Sequence, residues 1–422
     1  MITAMLHAFM NTLTGECGVG AGQAVLACCS GGIDSMVLLD LLVQASGPLR
    51  LKVGVVHVDH GIRKDATDAS FVSGRCRGLG IPCHVYPLSL SRGEPNLEEK
   101  ARLGRYARIR ECMGAHGYDA AATGHTLDDQ AETILYRIIR GSGIRGMGGM
   151  EHRGEGGLVR PLIGFTRGEI EAYAGERGIP HVEDCTNEDT TIARNLIRHE
   201  IIPLMKRINP EVAVSVARLG RIAREEGGHV ENLSLRLECD ARVLDWGAVR
   251  AYRLDKLREA PKAVLKRLVI RVLSALVDEP RGVDAVQVQG VVDVIEGRKA
   301  GHTVKRRVTA RIDGDGLVFF PAGPGPFYGL DIRESGVYRI TPLNVEVRIT
   351  GRLSGAMRLT SPSKGARIGG KRVVRLLAER GVMAALRPFW PVLVSGGEVV
   401  SVAGLLDSQA GPTTEFPLAG QG

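Results

Sequence analysis

A buried strand that runs directly into a small-residue turn and a helix constrains this chain more than any other feature. The unbroken apolar run from Ala24 to Cys29 is typical of a strand buried on both faces. The turn Ser30-Gly-Gly-Ile-Asp-Ser35 follows, and then an apolar stretch of helical length. Backbone N–H groups at a helix start are unpaired, and the helix dipole adds partial positive charge there. The turn is therefore suited to hold phosphate groups.

The residue types in this turn point to a phosphate site that includes a metal ion. Gly31 and Gly32 let an anion approach the backbone closely. Ser30 and Ser35 offer hydroxyl groups. Asp34 would repel bare phosphate, so it favours a Mg²⁺ lying between the two. The Gly-Lys-Ser/Thr of a Walker loop is absent, which excludes a γ-phosphate-transfer P-loop. An ordinary strand-to-helix turn is the alternative, because small residues are common in such turns.

The first half of the chain alternates strand and helix patterns. Further strands are predicted at 51–58, 81–86 and 118–123, with helical patterns between them. This series predicts an α/β domain with a parallel sheet and right-handed crossovers. In such a sheet the loop after the first strand lies at a natural ligand crevice.

Acidic residues gather behind the fourth predicted strand. His125 precedes Thr126, which forms a capping pair with Asp129 at the start of a predicted helix. Asp129 and Glu132 share a helix face, and so do Asp128 and Glu132. Capping accounts for one acid, whereas three acids behind a histidine indicate a cation site. The pattern leaves open which of Asp128 and Asp129 is functional.

Basic side chains indicate a polyanionic partner. The net charge is +8 and the pI is near 9.1. Aromatic residues make up only 4%, which disfavours a single-strand binder and favours recognition of a folded RNA. Arg140 and Arg145 flank a glycine-rich loop and are available for phosphates. Arg194 and Arg198 share one helix face, and we favour phosphate contact over a merely solvated face.

The pattern changes beyond residue 210. Residues 211–297 are helical in pattern, and the Pro/Gly-rich stretch 321–326 is the best linker in the chain. A small α+β unit with a basic helix follows, in which Lys371, Arg372 and Arg375 are candidate RNA contacts or simply a solvated face. We predict three domains: a catalytic domain at 1–210, a mostly helical domain at 211–325, and an α+β domain at 326–422.

The ordered combination of these motifs resembles the tRNA(Ile)-lysidine synthetase family, within the N-type ATP pyrophosphatase or PP-loop superfamily. The turn alone marks only the superfamily, and the combination is more specific. The resemblance spans most of residues 24–210 and implies a Rossmann-like, adenine nucleotide alpha hydrolase-like first domain. The matching blocks are Ser30–Ser35, Val56–Arg63, Thr123–Thr133, Arg140–Met150 and Arg194–Arg198.

The resemblance implies a ligase that uses ATP and Mg²⁺ and acts on an isoleucine tRNA with a CAU anticodon. In that family ATP adenylates the wobble cytidine at O2 and pyrophosphate leaves. The ε-amine of lysine then attacks C2 and expels AMP, which yields lysidine. Longer family members carry C-terminal tRNA-binding domains, and the final part of this chain resembles them.

The same resemblance assigns roles to individual residues. Asp34 would hold Mg²⁺, and Asp129 and Glu132 would anchor the lysine ammonium or act as a base for its deprotonation. Arg105 would lie near lysine or the reacting base. The residues around ATP are Ser30, Gly31, Gly32, Ile33, Asp34, Ser35 and His125. For the tRNA, the resemblance implies that Arg194 or Arg198 steadies the anticodon loop and that Lys371, Arg372 and Arg375 are candidate acceptor-stem contacts, while Arg140 and Arg145 are available for tRNA phosphates.

Two other function classes stay open at this point. A tRNA thiolase has the same loop, but such enzymes usually carry paired cysteines, and the eight cysteines here include no Cys-x-x-Cys. A non-catalytic RNA-binding protein would not need every polar residue of the turn. No apolar run approaches membrane-spanning length, and no Lys or Arg precedes the early apolar patches. We expect a cytoplasmic protein without a membrane partner, and a homodimer is left open.

Overall fold

The structure, a computed structural model, describes most of the chain. By contacts it divides into two compact units, Met1–Gly227 and Gly228–Gly422. The three domains with boundaries at 210 and 325 stay a prediction. The described residues are 2–59, 67–88, 97–182, 193–277, 283–323, 327–351, 353, 355–407 and 413–415.

A five-stranded parallel sheet forms the centre of the first unit. Its strands are β1 (Ala24–Cys28), β2 (Lys52–Asp59), β3 (Cys83–Pro87), β4 (Ala120–Thr123) and β5 (Leu158–Val159). Their order is β3-β2-β1-β4-β5, and all four pairings are parallel. This confirms the predicted parallel Rossmann-like α/β fold. The order reverses between β1 and β4, which is where ligands bind in open sheets of this kind.

Helices cover both faces of this sheet. Since side chains alternate along a strand, Val25 and Ala27 pack into one core and Leu26 into another. The helices are α1 (Ile2–Asn11), α2 (Ile33–Leu49), α3 (Thr67–Leu79), α4 (Leu97–His116), α5 (Leu127–Ile139), α6 (Ile144–Met147), α7 (Arg167–Arg177), α8 (Ala193–Leu196), α9 (Ile202–Lys206) and α10 (Val212–Ala241).

Two local details of the first unit concern helix ends and breaks. The helical segment that carries Arg194 and Arg198 is broken into α8, a π-helical turn at Ile197–Ile201, and α9. The glycine-rich loop begins at the end of α5, where Gly141 has φ +75. Within the described residues no helix is long and apolar enough to cross a bilayer.

The second unit begins with helices and a five-stranded antiparallel sheet. The helices are α11 (Leu254–Glu259), α12 (Lys262–Val277) and α13 (Ala285–Ile295). The strands are β6 (Arg242–Trp246), β7 (Val249–Arg253), β8 (Gly301–Val304), β9 (Val308–Asp313) and β10 (Gly316–Pro321), in the order β6-β7-β10-β9-β8. The helical pattern of 211–297 did not indicate β6 and β7. They form a hairpin around Gly247 and bury Leu244 and Trp246.

In the described residues, the end of the second unit is made of antiparallel sheets of five, three and two strands and one α-helix, as the α+β prediction expected. One sheet has the order β11-β14-β17-β18-β19 and another the order β12-β13-β20. The elements are β11 (Gly329–Ile332), β12 (Gly336–Ile340), β13 (Val345–Thr350), β14 (Met357–Thr360), β15 (Arg367–Ile368), β16 (Lys371–Arg372), α14 (Val373–Glu379), β17 (Val392–Ser395), β18 (Glu398–Val402), β19 (Leu406–Asp407) and β20 (Thr413–Glu415).

Candidate functional site

The turn after β1 and the turn after β4 lie against each other at the carboxyl edge of the parallel sheet. A Cβ at Gly124, just after β4, would lie 3.1 Å from the backbone of Asp34 and of Ser35. Ordinary side chains rarely come that close, so glycine allows this approach. The starts of α2 and α5 therefore share one site.

Hydrogen bonds within the turn fix its shape and leave the helix start open. The Ser35 hydroxyl donates to the Gly32 carbonyl at 2.8 Å, and the Ser30 N–H donates to Ser35 Oγ at 3.2 Å. Gly31 has φ +95, a conformation that favours glycine. Gly32 is the N-cap of α2 and places no side chain over the helix start. The first amides of α2, from Ile33 onward, are thus available to an anion.

Asp34 lies at the start of α2, and only one of its two carboxylate oxygens has a hydrogen-bond partner among the described residues. Arg167 Nη1 donates to its Oδ2 at 2.9 Å. Its Oδ1 is buried, and none of the described residues offers it a hydrogen bond. Burial raises the pKa of Asp34 from 3.8 to about 6, against the opposing charge of Arg167. A buried carboxylate oxygen without a partner is costly unless a ligand completes it.

The donor set around Asp34 fits Mg²⁺. Magnesium prefers oxygen ligands and is usually held by one or two carboxylates together with substrate phosphates. Asp34 Oδ1 supplies the carboxylate oxygen, and the uncapped start of α2 lies beside it to receive phosphate. The sequence prediction of a Mg²⁺ at Asp34 is therefore compatible with the residues present.

Asp129 and Glu132 form a compensated cluster with Arg194 and Arg198, which we call the acid–arginine cluster. Glu132 is 1% exposed and accepts from Arg194 Nε at 3.0 Å and from Nε and Nη2 of Arg198. Asp129 Oδ1 accepts from Arg198 at 3.0 Å and from Arg194 at 3.4 Å. The i, i+3 spacing of the acids and the i, i+4 spacing of the arginines place each pair on one face of its helical segment.

The second oxygen of Asp129 belongs to a capping box. Thr126 N–H donates to Asp129 Oδ2 at 2.8 Å, which confirms the predicted cap of α5. Burial alone would raise the pKa of Asp129, but the charge that His125 carries at low pH, the charges of Arg194 and Arg198, and the hydrogen bond from the Thr126 N–H hold it below its usual value. Asp129 therefore remains ionised at neutral pH.

Asp128 makes different contacts from Asp129. Its Oδ2 accepts the backbone N–H of Arg167 at 2.7 Å, which is the first residue of α7. Asp128 thus stabilises the start of α7 by hydrogen bonding and by the dipole. The structure separates the two acids that the sequence left as alternatives: Asp129 joins the acid–arginine cluster, and Asp128 joins two helix starts.

His125 lies next to these acids and is half-buried. Its Nδ1 lies 2.8 Å from Thr123 Oγ1, a hydroxyl at the end of β4. Burial lowers the pKa of His125 to about 4, so the imidazole is neutral at pH 7. Arg105 on α4 is exposed, and its charge contributes to that lowering. It does not belong to the hydrogen-bonded acid–arginine cluster described above.

The other predicted RNA contacts whose side chains the structure describes lie on the surface. Arg140 donates to the Tyr136 hydroxyl at 3.1 Å and stacks over its ring. Arg145 lies in α6, and its side chain is outside the described residues. In the second unit, Lys371 and Arg375 are exposed and both pair with Glu379, while Arg372 is exposed at the end of β16.

Sequence reasoning missed Arg167 and Gly124. Arg167 lies within Thr166-Arg-Gly-Glu169, and Thr166 and Glu169 form a capping box at the start of α7. A positive charge at the first position of a helix opposes the dipole, and this mismatch was a signal for an external acidic partner. Gly124 gave no local signal, because only the distant contact with Asp34 requires it.

Comparison with known proteins agrees with this geometry. A family model described as a PP-loop domain matches residues 4–205. The tRNA(Ile)-lysidine synthase of Solibacter usitatus (strain Ellin6076) is 32% identical over 414 residues, which cover 90% of this chain and 93% of that protein. The tRNA(Ile)-lysidine synthase of Thermus thermophilus is 36% identical over 383 residues, which cover 89% of this chain and 68% of that protein.

Among solved structures, the U34-tRNA thiolase of Methanococcus maripaludis aligns with 53% of this chain and 78% of its own, at 19% identity and a TM-score of 0.45. The family assignment comes from the sequence relatives and the domain match, which cover the sheet, the turn and the acid–arginine cluster. The chain therefore belongs to the tRNA(Ile)-lysidine synthase family, whose members are ATP-using ligases built on a PP-loop domain.

Proposed function

We propose that this protein ligates L-lysine to the wobble cytidine of the CAU anticodon of tRNA(Ile). In the first step the cytidine O2 attacks the α-phosphorus of ATP, and the bond to pyrophosphate breaks. In the second step the uncharged ε-amine of lysine attacks C2, and the C2–O2 bond breaks with AMP as the leaving group. The lysine ammonium gives one proton to solvent before the attack, and the nitrogen bonded to C2 gives a second one to solvent afterwards, so that lysidine is the product.

The observation that carries this proposal is the half-compensated Asp34 beside the uncapped start of α2. The free amides and the helix dipole suit the phosphates of ATP, and the orphaned Oδ1 suits a cation between them and the carboxylate. When bound, Mg²⁺ would neutralise negative charge on the departing pyrophosphate. Ser30 and Ser35 hold the turn in the shape that keeps these amides accessible.

The charges and contacts within the acid–arginine cluster are the basis on which we assign roles to its four members. Asp129 is a poor base because its pKa is below the usual value, so we assign it to attraction of the lysine ammonium rather than to its deprotonation. Glu132 is buried with both oxygens bound by arginines, and we assign it to positioning. The side chains of Arg194 and Arg198 are each 37% exposed, and we assign their outer N–H groups to RNA or nucleotide phosphate.

The remaining roles rest on placement and charge. His125, neutral and next to Thr123, is a candidate hydrogen-bonding partner for the nucleotide. Arg105 would act near lysine or the reacting base. Arg140 and Arg145 would contact tRNA phosphates, and Lys371, Arg372 and Arg375 the acceptor stem. A homodimer and a cytoplasmic location stay predictions.

The test is pyrophosphate release from ATP with Mg²⁺, lysine and tRNA(Ile) bearing a CAU anticodon, followed by nucleoside mass analysis. We expect a lysine-dependent mass gain on the wobble cytidine that Asp34→Ala abolishes. Asp255→Ala, which removes an exposed carboxylate in the second unit, serves as the matched control and should keep the activity.

Two outcomes would overturn the proposal. Pyrophosphate release with sulfur rather than lysine added to the tRNA would assign the protein to the thiolases. Tight tRNA binding without any ATP turnover would identify a binding protein with an inactive nucleotide domain.

A further inference from the structure

A second group of ligand-type side chains lies on the first unit, outside the site described above. His84 on β3 meets Cys112 and His116 on α4. One potential ligand atom of each residue lies within 4.8 Å of those of the other two. The His84 and His116 rings stack with centroids 3.8 Å apart. The proposed lysidine chemistry uses none of these three side chains.

The local sequence explains why the three residues meet. Cys112 and His116 are four residues apart on α4, so they share one helix face. β3 is the edge strand of the sheet, and α4 packs beside it through a core that includes Cys112 and Tyr86. The helix thus presents a thiol and an imidazole to the imidazole of the strand.

A fourth residue supports the histidine of the strand in the way that metal sites require. The Tyr118 hydroxyl lies 3.2 Å from His84 Nε2, so coordination of a metal through Nδ1 would keep this hydrogen bond. Metal-bound histidines usually have their second nitrogen hydrogen-bonded, and this fixes the ring. A Cβ at Gly54 on β2 would collide with this hydroxyl, so the glycine makes room for Tyr118.

We propose that His84, Cys112 and His116 bind one Zn²⁺ ion, with water as the fourth ligand. Two imidazoles and a thiolate are a donor set that Zn²⁺ favours. Bond lengths of about 2.0 to 2.3 Å place tetrahedral ligand atoms roughly 3.3 to 3.8 Å apart, so the site closes when the stacked imidazoles of His84 and His116 rotate apart and each points a nitrogen at the ion. Binding releases the thiol proton of Cys112 to solvent. His116 is exposed, which gives the ion a path from solvent and a place for the water.

The consequence of such a site is structural. It would fasten the edge strand β3 to α4, and α4 also carries Arg105, two helical turns before Cys112. Zinc that binds the folded state and not the unfolded state stabilises the protein by mass action. The site therefore couples the ordering of this helix to metal binding, independently of ATP turnover.

The experiment uses the full chain, stripped with a chelator and then titrated with Zn²⁺ or Co²⁺. We expect one Co²⁺ per chain with a thiolate-to-cobalt absorption band, which added Zn²⁺ displaces. At zinc about a hundredfold above its Kd, the unfolding midpoint should rise by about 5 °C. Cys112→Ser should remove the band, and Tyr118→Phe should weaken zinc binding about tenfold.

Matched variants separate binding from folding damage. His116→Ala removes an exposed ligand and should abolish the zinc-dependent rise, whereas His7→Ala removes an exposed histidine elsewhere and should keep it. Cys17→Ser controls for the loss of a buried thiol outside the cluster. The proposal is overturned if Co²⁺ shows no thiolate band, or if His116→Ala binds Zn²⁺ as tightly as the unchanged protein. Either result is independent of lysidine formation, because both measurements report metal binding and not activity.

Discussion

Asp34 and Glu132 are both acidic residues with buried oxygens near the carboxyl edge of the same sheet, yet their surroundings differ. Glu132 accepts hydrogen bonds from two arginines on both of its oxygens. Asp34 has one arginine on Oδ2 and nothing among the described residues on Oδ1. The described residues satisfy both oxygens of Glu132 and leave Oδ1 of Asp34 without a hydrogen bond.

This difference distinguishes a carboxylate that helps to hold the fold, that of Glu132, from one that can bind a ligand, that of Asp34. A buried charge that its neighbours satisfy contributes order and geometry, and removing one partner is costly. A buried charge that its neighbours leave unsatisfied costs free energy in the empty protein, and this cost is offset when a ligand binds. Substitutions at the two positions should therefore have opposite effects on stability.

The largest expected effect is the loss of activity in Asp34→Asn. Because the neutral amide cannot hold Mg²⁺ beside the phosphates, we expect pyrophosphate release to fall about a thousandfold or more. Initial rates at saturating ATP and Mg²⁺ measure this. A variant with more than about a tenth of the original rate would show that Asp34 does not hold the metal.

Glu132→Gln should chiefly destabilise the first unit. The substitution leaves Arg194 and Arg198 with a neutral partner, and we expect a loss of about 2 to 3 kcal/mol in the free energy of unfolding, less than a fully buried pair because both guanidiniums are partly exposed. Urea unfolding measures it. Glu225→Gln, which breaks an exposed pair with Arg221, is the control and should change stability by less than about 0.5 kcal/mol. Equal effects in both variants would contradict the compensated cluster.

Gly124→Ala tests the contact between the two turns. The new Cβ would press on the backbone at Asp34, so we expect a loss of about 1 to 2 kcal/mol in stability and a raised KM for ATP. Gly114→Ala is the control, since Gly114 lies in α4 with open space around its Cβ position, and it should stabilise by about 0.5 to 1 kcal/mol. An unchanged KM in Gly124→Ala would separate this contact from nucleotide binding.

The raised pKa of Asp34 predicts a pH-dependent gain in stability for Asp34→Asn. The folded pKa of about 6 exceeds the ordinary value of 3.8, so the protonated acid is favoured in the folded protein. Its contribution is complete below pH 3.8 and is lost as the pH rises through about 6. At about pH 8 the variant should be more stable than the original by about 1 to 2 kcal/mol, and at about pH 4 by much less. Urea unfolding at both pH values measures the difference, and a variant that is less stable at the higher pH would contradict it.

The smallest effect concerns the exposed basic residues of the second unit. Lys371→Ala combined with Arg372→Ala should weaken tRNA binding several-fold and reduce the slope of log affinity against log salt by about 1 to 2. Binding titrations at three salt concentrations measure both. Arg253→Ala, an exposed arginine paired with Asp255, is the control. An unchanged salt slope would remove these residues from the tRNA-binding surface.

Local sequence determined a large part of this protein. The apolar run at Ala24–Cys28, the small-residue turn and the capping pair at Thr126 each act over a few residues, and all of them form as predicted. The parallel α/β class follows from their order along the chain. The hairpin β6–β7 was missed, because a short strand pair inside a helical pattern is stabilised by a core that is assembled from distant residues.

Only the tertiary structure determined which acidic side chains pair with which arginines. The chain shows Asp34, Asp128, Asp129 and Glu132 as similar acids, and shows Arg167, Arg194 and Arg198 as similar bases. Folding brings Arg167 to Asp34 and Asp128, and brings the other two arginines to Asp129 and Glu132, across 62 to 69 residues in the latter case. Electrostatic compensation depends on distance and burial, which packing sets and local sequence does not encode. For that reason the sequence located the site, and the fold determined which of its acids was left for a ligand.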